Sequence, residues 1–355
     1  MGGSESGYLA VQVETHNIQA GDGIAGVVHF HLQSPIQAES LGLKFSGKEY
    51  CYWEESSSST NSDGSTSTST TSYIGKTSIV KQLFPIFLFQ NSQVAAGDYS
   101  FPFQILTPTT LPGSFDYHIA STKAHIKYQV SAYINSASAK VKKAKTEVGV
   151  TGHMTEAIVS LQESASAQIS TWCCLRQGVV KLGAFINKSA YVPGEMCSLS
   201  VEVDNSNSLL DVTRLKATLF RTIRLTATGG GGTIIKLPVN EGYVNQRIAV
   251  GHSVSGPTAI HMSLAVQDSK GSVQNATTLK GVNIECVYTV VVRAEMDGCC
   301  MCCGQAPEIV REVTIYPMQL PGREMPQAPA YWSPTVMPVA QFSAECKPSA
   351  PPLTT

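Results

Sequence analysis

Four short constellations in this chain carry residue types with recognisable chemistry. The first is Cys299-Cys300-Met301-Cys302-Cys303. Its interleaved pairs, Cys299/Cys302 and Cys300/Cys303, have C-x-x-C spacing, but an ordinary structural zinc site needs a second, separate knuckle. Cys173-Cys174 would have to come near, and its place between two domains argues against that. S-acylation is the rival reading, and each chain would add membrane affinity of about 0.8 kcal/mol per buried methylene. A chemically inert loop is the third. The second constellation, Met1-Gly2-Gly3-Ser4-Glu5-Ser6, fits the M-G-x-x-x-[ST] pattern for myristoylation of Gly2, or is a plain flexible terminus. The third is a basic hairpin tip of Lys140, Lys142, Lys143 and Lys145, able to meet anionic lipid or an acidic partner, or simply a solvated turn. The fourth, Pro348-Ser349-Ala350-Pro351, matches the P-[ST]-A-P motif read by the ubiquitin-E2-variant domain of an ESCRT-I subunit. An extended proline-rich peptide loses little entropy on docking, although such a tetrapeptide also arises by chance in a Pro/Ser/Ala-rich segment.

No catalytic constellation stands beside these. Gly75-Lys76-Thr77 lacks the earlier glycine of a phosphate loop, since position 70 is Thr. Gly251-His252-Ser253-Val254-Ser255 lacks the closing glycine of a nucleophile elbow. The eight histidines are scattered on strand faces, as at His29 and His31, where surface or hydrogen-bonded roles are the ordinary ones. The reading is therefore not an enzyme, with no cofactor and no metal assigned.

These motifs need a scaffold, and composition bounds it. A chain of 355 residues holds two domains with proper cores. Charged residues make up only 14%, with many Gly, Pro, Ser and Thr, which favours short strands and turns. A net charge of −1 leaves no global field for nucleic acid. There is no run of about 18 apolar residues and no secretory leader, so a cytoplasmic protein is expected. The sequons at Asn187 and Asn275 then carry no meaning, and the clustered cysteines do not suggest disulfides.

Period-2 alternation supplies the elements. In an N-domain over 7–150 it runs through Val28, Phe30 and Leu32, then Leu41, Leu43 and Phe45, and again Ile126, Tyr128, Val130, Ala132 and Ile134. The Ser/Thr-rich stretch 56–72 cannot bury apolar area and is expected as a disordered insert. A linker spans 151–177, with a short helix conceivable over Thr155–Ile169. A C-domain over 178–320 alternates at Val180, Leu182, Ala184 and Ile186, at Cys197, Leu199, Val201 and Val203, and at Ile284, Cys286, Tyr288, Val290 and Val292. Val313 and Ile315 close it. The tail, 321–355, lacks periodicity and is expected to be disordered.

The strand Gly97–Ile105, the Leu111-Pro112-Gly113-Ser114-Phe115 corner and the Ile126–Ile134 strand resemble the N-terminal half of an arrestin. Tyr191-Val192-Pro193-Gly194-Glu195, followed by a strand ending in Asp204-Asn205-Ser206, resembles the opening of an arrestin C-domain. The late Cys286-x-Tyr288 strand is similar too. The resemblance covers roughly 8–320 and is closest to the alpha-arrestin (arrestin-domain-containing) branch. It implies an all-β fold of two tandem immunoglobulin-like sandwiches. It implies a non-enzymatic adaptor in endocytic or endosomal sorting, peripheral on endosomal or plasma membrane, binding membrane-protein cargo tails and linking them to ESCRT machinery. It also implies that Cys299–Cys303 sits at a distal tip able to touch membrane. A retromer-type coat subunit sharing the fold is the alternative. Two family features are missing: an amphipathic helix before Phe101, and the Pro-Pro-x-Tyr motif that recruits HECT ligases, of which Ala328-Pro329-Ala330-Tyr331 is the nearest approach. No position for the buried charged cluster of receptor-binding arrestins can be assigned, so recognition of phosphorylated receptor tails is not carried over.

Overall fold

The computed structural model describes residues 7–60, 66–136, 143–152, 157–171, 175–267, 276–296, 306–317 and 334–345. Among these there is no α-helix, only strands and two 3-10 turns. The N-domain contains β1 (Gly7–Val13), β2 (Asn17–Gln19), β3 (Gly23–Leu32), β4 (Ile36–Gln37), β5 (Ser40–Thr60), β6 (Thr66–Leu88), β7 (Gln93–Val94), β8 (Gly97–Leu106), β9 (Phe115–Ile119), β10 (Thr122–Asn135) and β11 (Lys143–Thr151). The C-domain contains β12 (Leu161–Thr171), β13 (Leu175–Ile186), β14 (Ala190–Tyr191), β15 (Met196–Ser208), β16 (Val212–Thr226), β17 (Gly232–Val244), β18 (Ser253–Val254), β19 (Ile260–Ala265), β20 (Leu279–Lys280), β21 (Ile284–Met296) and β22 (Glu308–Ile315). Two tail strands follow, β23 (Thr335–Val336) and β24 (Ala340–Ser343).

Each domain is a sandwich of two sheets. In the N-domain, β1-β3-β8 faces β2-β11-β10-β5-β6. In the C-domain, β12-β13-β15 with β18 and β19 faces β14-β22-β21-β16-β17. Alternation decides which side chains enter: Phe30, Phe45, Phe101, Phe103 and Tyr128 fill one core, and Leu199, Leu219, Tyr288 and Val290 the other. The Leu-Pro corner is fastened to the core, since the buried Tyr128 hydroxyl donates to the Pro112 carbonyl at 2.7 Å.

Three expectations are corrected. The described parts of 56–72 are not a disordered insert. They continue the β5–β6 hairpin in unbroken register from Ser56↔Thr70 to Thr60↔Thr66. Backbone pairing propagates outward from the Trp53–Tyr73 stack, with ring centroids 5.1 Å apart, and hydroxyls bond across the ribbon at Ser57–Ser69 and Ser59–Ser67, each 2.8 Å. Exposure of both faces removes any need for apolar alternation.

The linker holds a strand rather than a helix. Leu161–Thr171 pairs antiparallel with β13, Ala165 opposite Leu182. Its inward positions alternate through small Ala165 and Ala167 to buried Ile169, a pattern that Ala and Ser content disguised as helical.

The tail is not disordered throughout. β23 and β24 pair in parallel with the edge strand β8, Thr335 opposite Tyr99 and Ala340 opposite Phe103. The edge groups of β8 take partners there, including Met337 N–H to Ser100 O at 2.9 Å and Ala344 N–H to Leu106 O at 2.8 Å.

Candidate functional site: the domain seam and the docked tail

The alternation of β5 places Phe45, Gly47, Glu49, Cys51 and Trp53 on one inward-facing series. A carboxylate in that series must find donors or be expelled. Glu49 is fully buried and finds them in the other domain. Its Oε1 accepts the N–H groups of Asn283 at 2.8 Å and Ile284 at 2.6 Å, and its Oε2 accepts that of Val282 at 3.0 Å. Burial pushes the Glu49 carboxyl above its ordinary range, and the three donors pull it back.

Around this carboxylate the seam is closed by polar groups on both sides. The Thr77 hydroxyl donates to Asn283 Oδ1, and Asn283 Nδ2 donates to Thr226 O at 2.9 Å. Lys76 N–H donates to Thr228 Oγ1 at 2.9 Å, while Thr228 N–H donates back to Ile74 O at 3.0 Å. The Cys51 thiol approaches Thr226 O at 3.6 Å, and burial pushes its pKa up to about 11. Buried Arg221 of the C-domain sits 5.7 Å from the ring centroid of Tyr117 in the N-domain. Two glycines permit the approach. A Cβ at Gly75 would lie 2.4 Å from Thr226 O, and one at Gly281 would lie 2.3 Å from Glu49 Oε1. Gly75-Lys76-Thr77 is thus a seam element.

The domains also border a cleft of about 410 Å³. Ile18 and Thr151 line it from one domain and Tyr191, Val192 and Tyr316 from the other. Lys188 and Glu195, paired at 3.0 Å, stand at its wall, and Tyr191 donates to Asn187 Oδ1 at 2.7 Å. Burial drives the Tyr191 hydroxyl far above its ordinary value.

The tail contributes a second feature. Phe342 stacks on Phe84 with centroids 4.8 Å apart, Ala344 is buried, and Glu345 N–H donates to Gln82 Oε1 at 2.9 Å. The described part of the docked segment runs to Glu345, three positions before Pro348 in the sequence.

Of the residues singled out by sequence, Lys143 and Lys145 are exposed on β11. Gly2, Lys140, Lys142, Cys299, Cys300, Cys302, Cys303 and Pro348, Ser349, Ala350 and Pro351 lie outside the described residues. The strands flanking the cysteine run, β21 and β22, present Met296 and Glu308 at the end of their sheet away from Ile284 and the seam. His29 bonds Gln12 at 2.9 Å and Ser100 at 3.2 Å, and His31 meets Asp98 at 2.6 Å, ordinary hydrogen-bonded roles. Among the described residues no group of three His, Cys, Asp or Glu could hold a metal, and no helix is long and apolar enough to cross a membrane. Sequence reading missed Glu49. The available signal was its parity, a charged residue in the inward series of a strong strand.

Two sandwiches in tandem, meeting across a polar seam, are matched by two family models. The "Arrestin (or S-antigen), N-terminal domain" model covers residues 12–157, and the "Arrestin (or S-antigen), C-terminal domain" model covers 176–320. The chain belongs to the arrestin family. This arrestin is similar to "Arrestin domain-containing protein A" of Dictyostelium discoideum, 24% identical over 222 residues, which is 61% of this chain and 37% of the relative. It is also similar to "Arrestin domain-containing protein 5" of Homo sapiens, 26% identical over 196 residues, 53% of this chain and 54% of the relative. The matches thus span about a third and about half of those relatives' lengths. The relatives place the arrestin with the alpha-arrestin type, and they do not favour a retromer-type coat subunit. Arrestin-family proteins are adaptors, and neither model nor relative points to a catalytic family.

Proposed function

We propose that this arrestin is an adaptor in endocytic or endosomal sorting, binding cargo tails of membrane proteins and passing them to ESCRT-I through Pro348–Pro351. The observation that carries the reading is the docked tail. The segment up to Glu345 is fastened to the N-domain sheet, and Pro348 follows it three positions later in the sequence. A motif tethered near a folded surface raises the effective concentration of its partner beside whatever that surface holds. The absence of Pro-Pro-x-Tyr directs the reading to ESCRT-I over a HECT ligase. Membrane attachment through Gly2 or Cys299–Cys303 is a further part of the proposal, since stable anchoring usually takes two signals.

The test is binding of the full chain to an isolated ubiquitin-E2-variant domain by calorimetry. Binding that disappears with Pro348→Ala and Pro351→Ala supports the reading. Binding that is unchanged by both substitutions makes the tetrapeptide accidental. Hydroxylamine-sensitive acyl exchange on the protein isolated from cells, compared with a variant carrying Ser at all four cysteines, tests the lipid part.

A further inference from the structure

The sheet order brings together lysines that are far apart in sequence. On the outer face of β11-β10-β5-β6, register places Lys145, Ser131, Lys44 and Leu83 in one row across four strands. The next row holds Glu147, Gln129, Ser46 and Lys81, and the one after it holds Lys127 and Lys48. Lys143 stands opposite Tyr133 on the other side. Neighbouring strands lie about 4.8 Å apart and successive same-face residues about 7 Å apart, so six lysines share one small area. They come from four strands, and five of them are exposed, Lys44 being half-buried.

These cations are not neutralised. Among the described residues none of the six forms an ion pair. Glu147 is the carboxylate within these rows, and Asp116 follows one row further on, opposite His125. Partial burial, then the charges of Lys143, Lys81 and Lys48, push the Lys44 ammonium below its ordinary value. The C-domain is built differently. Most of its cations are paired, as in Lys181–Asp204, Lys216–Glu241, Arg224–Glu285 and Arg311–Glu163, and the lysines that form no ion pair among the described residues, Lys236 and Lys280, lie on separate strands. A protein of net charge −1 thus concentrates unpaired positive charge on one sheet face.

Chemistry selects among anionic partners. Arginine forks suit bidentate capture of a single phosphate or carboxylate, whereas lysines act as point charges. All six cations here are lysines, spread over an open sheet face, which matches a delocalised negative surface better than one bound group. We propose that this lysine face, Lys44, Lys48, Lys81, Lys127, Lys143 and Lys145, docks on an anionic membrane surface. It goes beyond the sorting role above and does not rest on it, because neither the tail motif nor any lipid modification enters.

The experiment uses the full chain purified without acyl groups and sedimented with vesicles at about 0.1 M salt, where the Debye length is about 10 Å. Vesicles of phosphatidylcholine with phosphatidylserine should bind it and pure phosphatidylcholine should not, with binding weakening as salt rises. Near an anionic surface each lysine is worth about fivefold in affinity, so Lys81→Glu with Lys127→Glu and Lys145→Glu should weaken binding at least about a hundredfold. The equal charge change Lys181→Glu, Lys236→Glu and Lys280→Glu in the C-domain should leave most of the binding intact. Thermal melts of both variants establish that they are folded. The inference is overturned if the parent ignores anionic vesicles, if the N-domain variant binds like the parent, if both variants lose binding alike, or if the face takes an acidic peptide and no vesicle.

Discussion

Replacing Glu49 by alanine strips the acceptor from three N–H groups of the opposite domain at once. Val282 is half open to solvent and its amide can turn to water, but Asn283 and Ile284 are only 5% and 1% exposed. A buried donor without a partner costs about 1–3 kcal/mol, which gives about 2–6 kcal/mol for the two. Part is returned because a carboxylate no longer has to be desolvated, and a net loss of about 3 kcal/mol is expected. At about 2–4 °C per kcal/mol for a domain of this size, melting should fall by about 6–12 °C. Hydrogen exchange read by mass spectrometry should show the 282–284 amides losing protection first. Gly281→Ala approaches the same carboxylate from the other side, its added Cβ crowding Oε1, and should loosen the same amides. A Glu49→Ala protein that melts within about 1 °C of the parent, with unchanged exchange at 282–284, would refute the argument that this carboxylate holds the seam.

Three further outcomes follow from burial and charge. Cys51 and Cys286 have thiols pushed up to about 11 and about 12 by burial, and Cys197 is raised in the same way, so alkylation at pH 8 should spare all three in the folded protein and label them after denaturation. Phe342→Ala removes the stack on Phe84 and should cost about 1 kcal/mol, with faster exchange along β8, while identical exchange there would mean the tail strand contributes nothing. Glu195 is held below its ordinary value first by the Val192 N–H and then by Lys188, and Asp211 first by the Val250 N–H and then by Arg247. Their depressed values mean stability present at neutral pH is lost as pH falls through the ordinary carboxylate range to the folded values; Glu49, with its raised value, acts oppositely, its share being lost as pH rises from the ordinary to the folded value. Melting between about pH 3 and 6 should therefore show a smaller acid-side fall in Glu195→Gln than in the parent.

Much of the architecture could be read from one chain, because strand burial is a local property. A strand side chain points in or out according to parity, so the series through Phe45, Tyr128, Leu199 and Tyr288 marks core positions before any sheet is built. The same rule missed segments whose stability is borrowed. The ribbon at 56–72 has no apolar face and exists because β5 and β6 are already aligned by the core beneath it. The strand at Leu161–Thr171 and the tail strands exist because β13 and β8 offer open edges. What an edge will accept is decided by backbone groups that every sequence carries.

By itself the sequence determined the two sandwiches and the strand positions that enter their cores. Only the tertiary structure decided which of these residues act together. Glu49 and Ile284 are 235 positions apart and meet because two domains close on each other. Lys44, Lys81, Lys127 and Lys145 become neighbours because the strand order is β11-β10-β5-β6. Parity follows from local backbone geometry, whereas strand order and domain contact follow from long-range packing, which no local pattern of residues specifies.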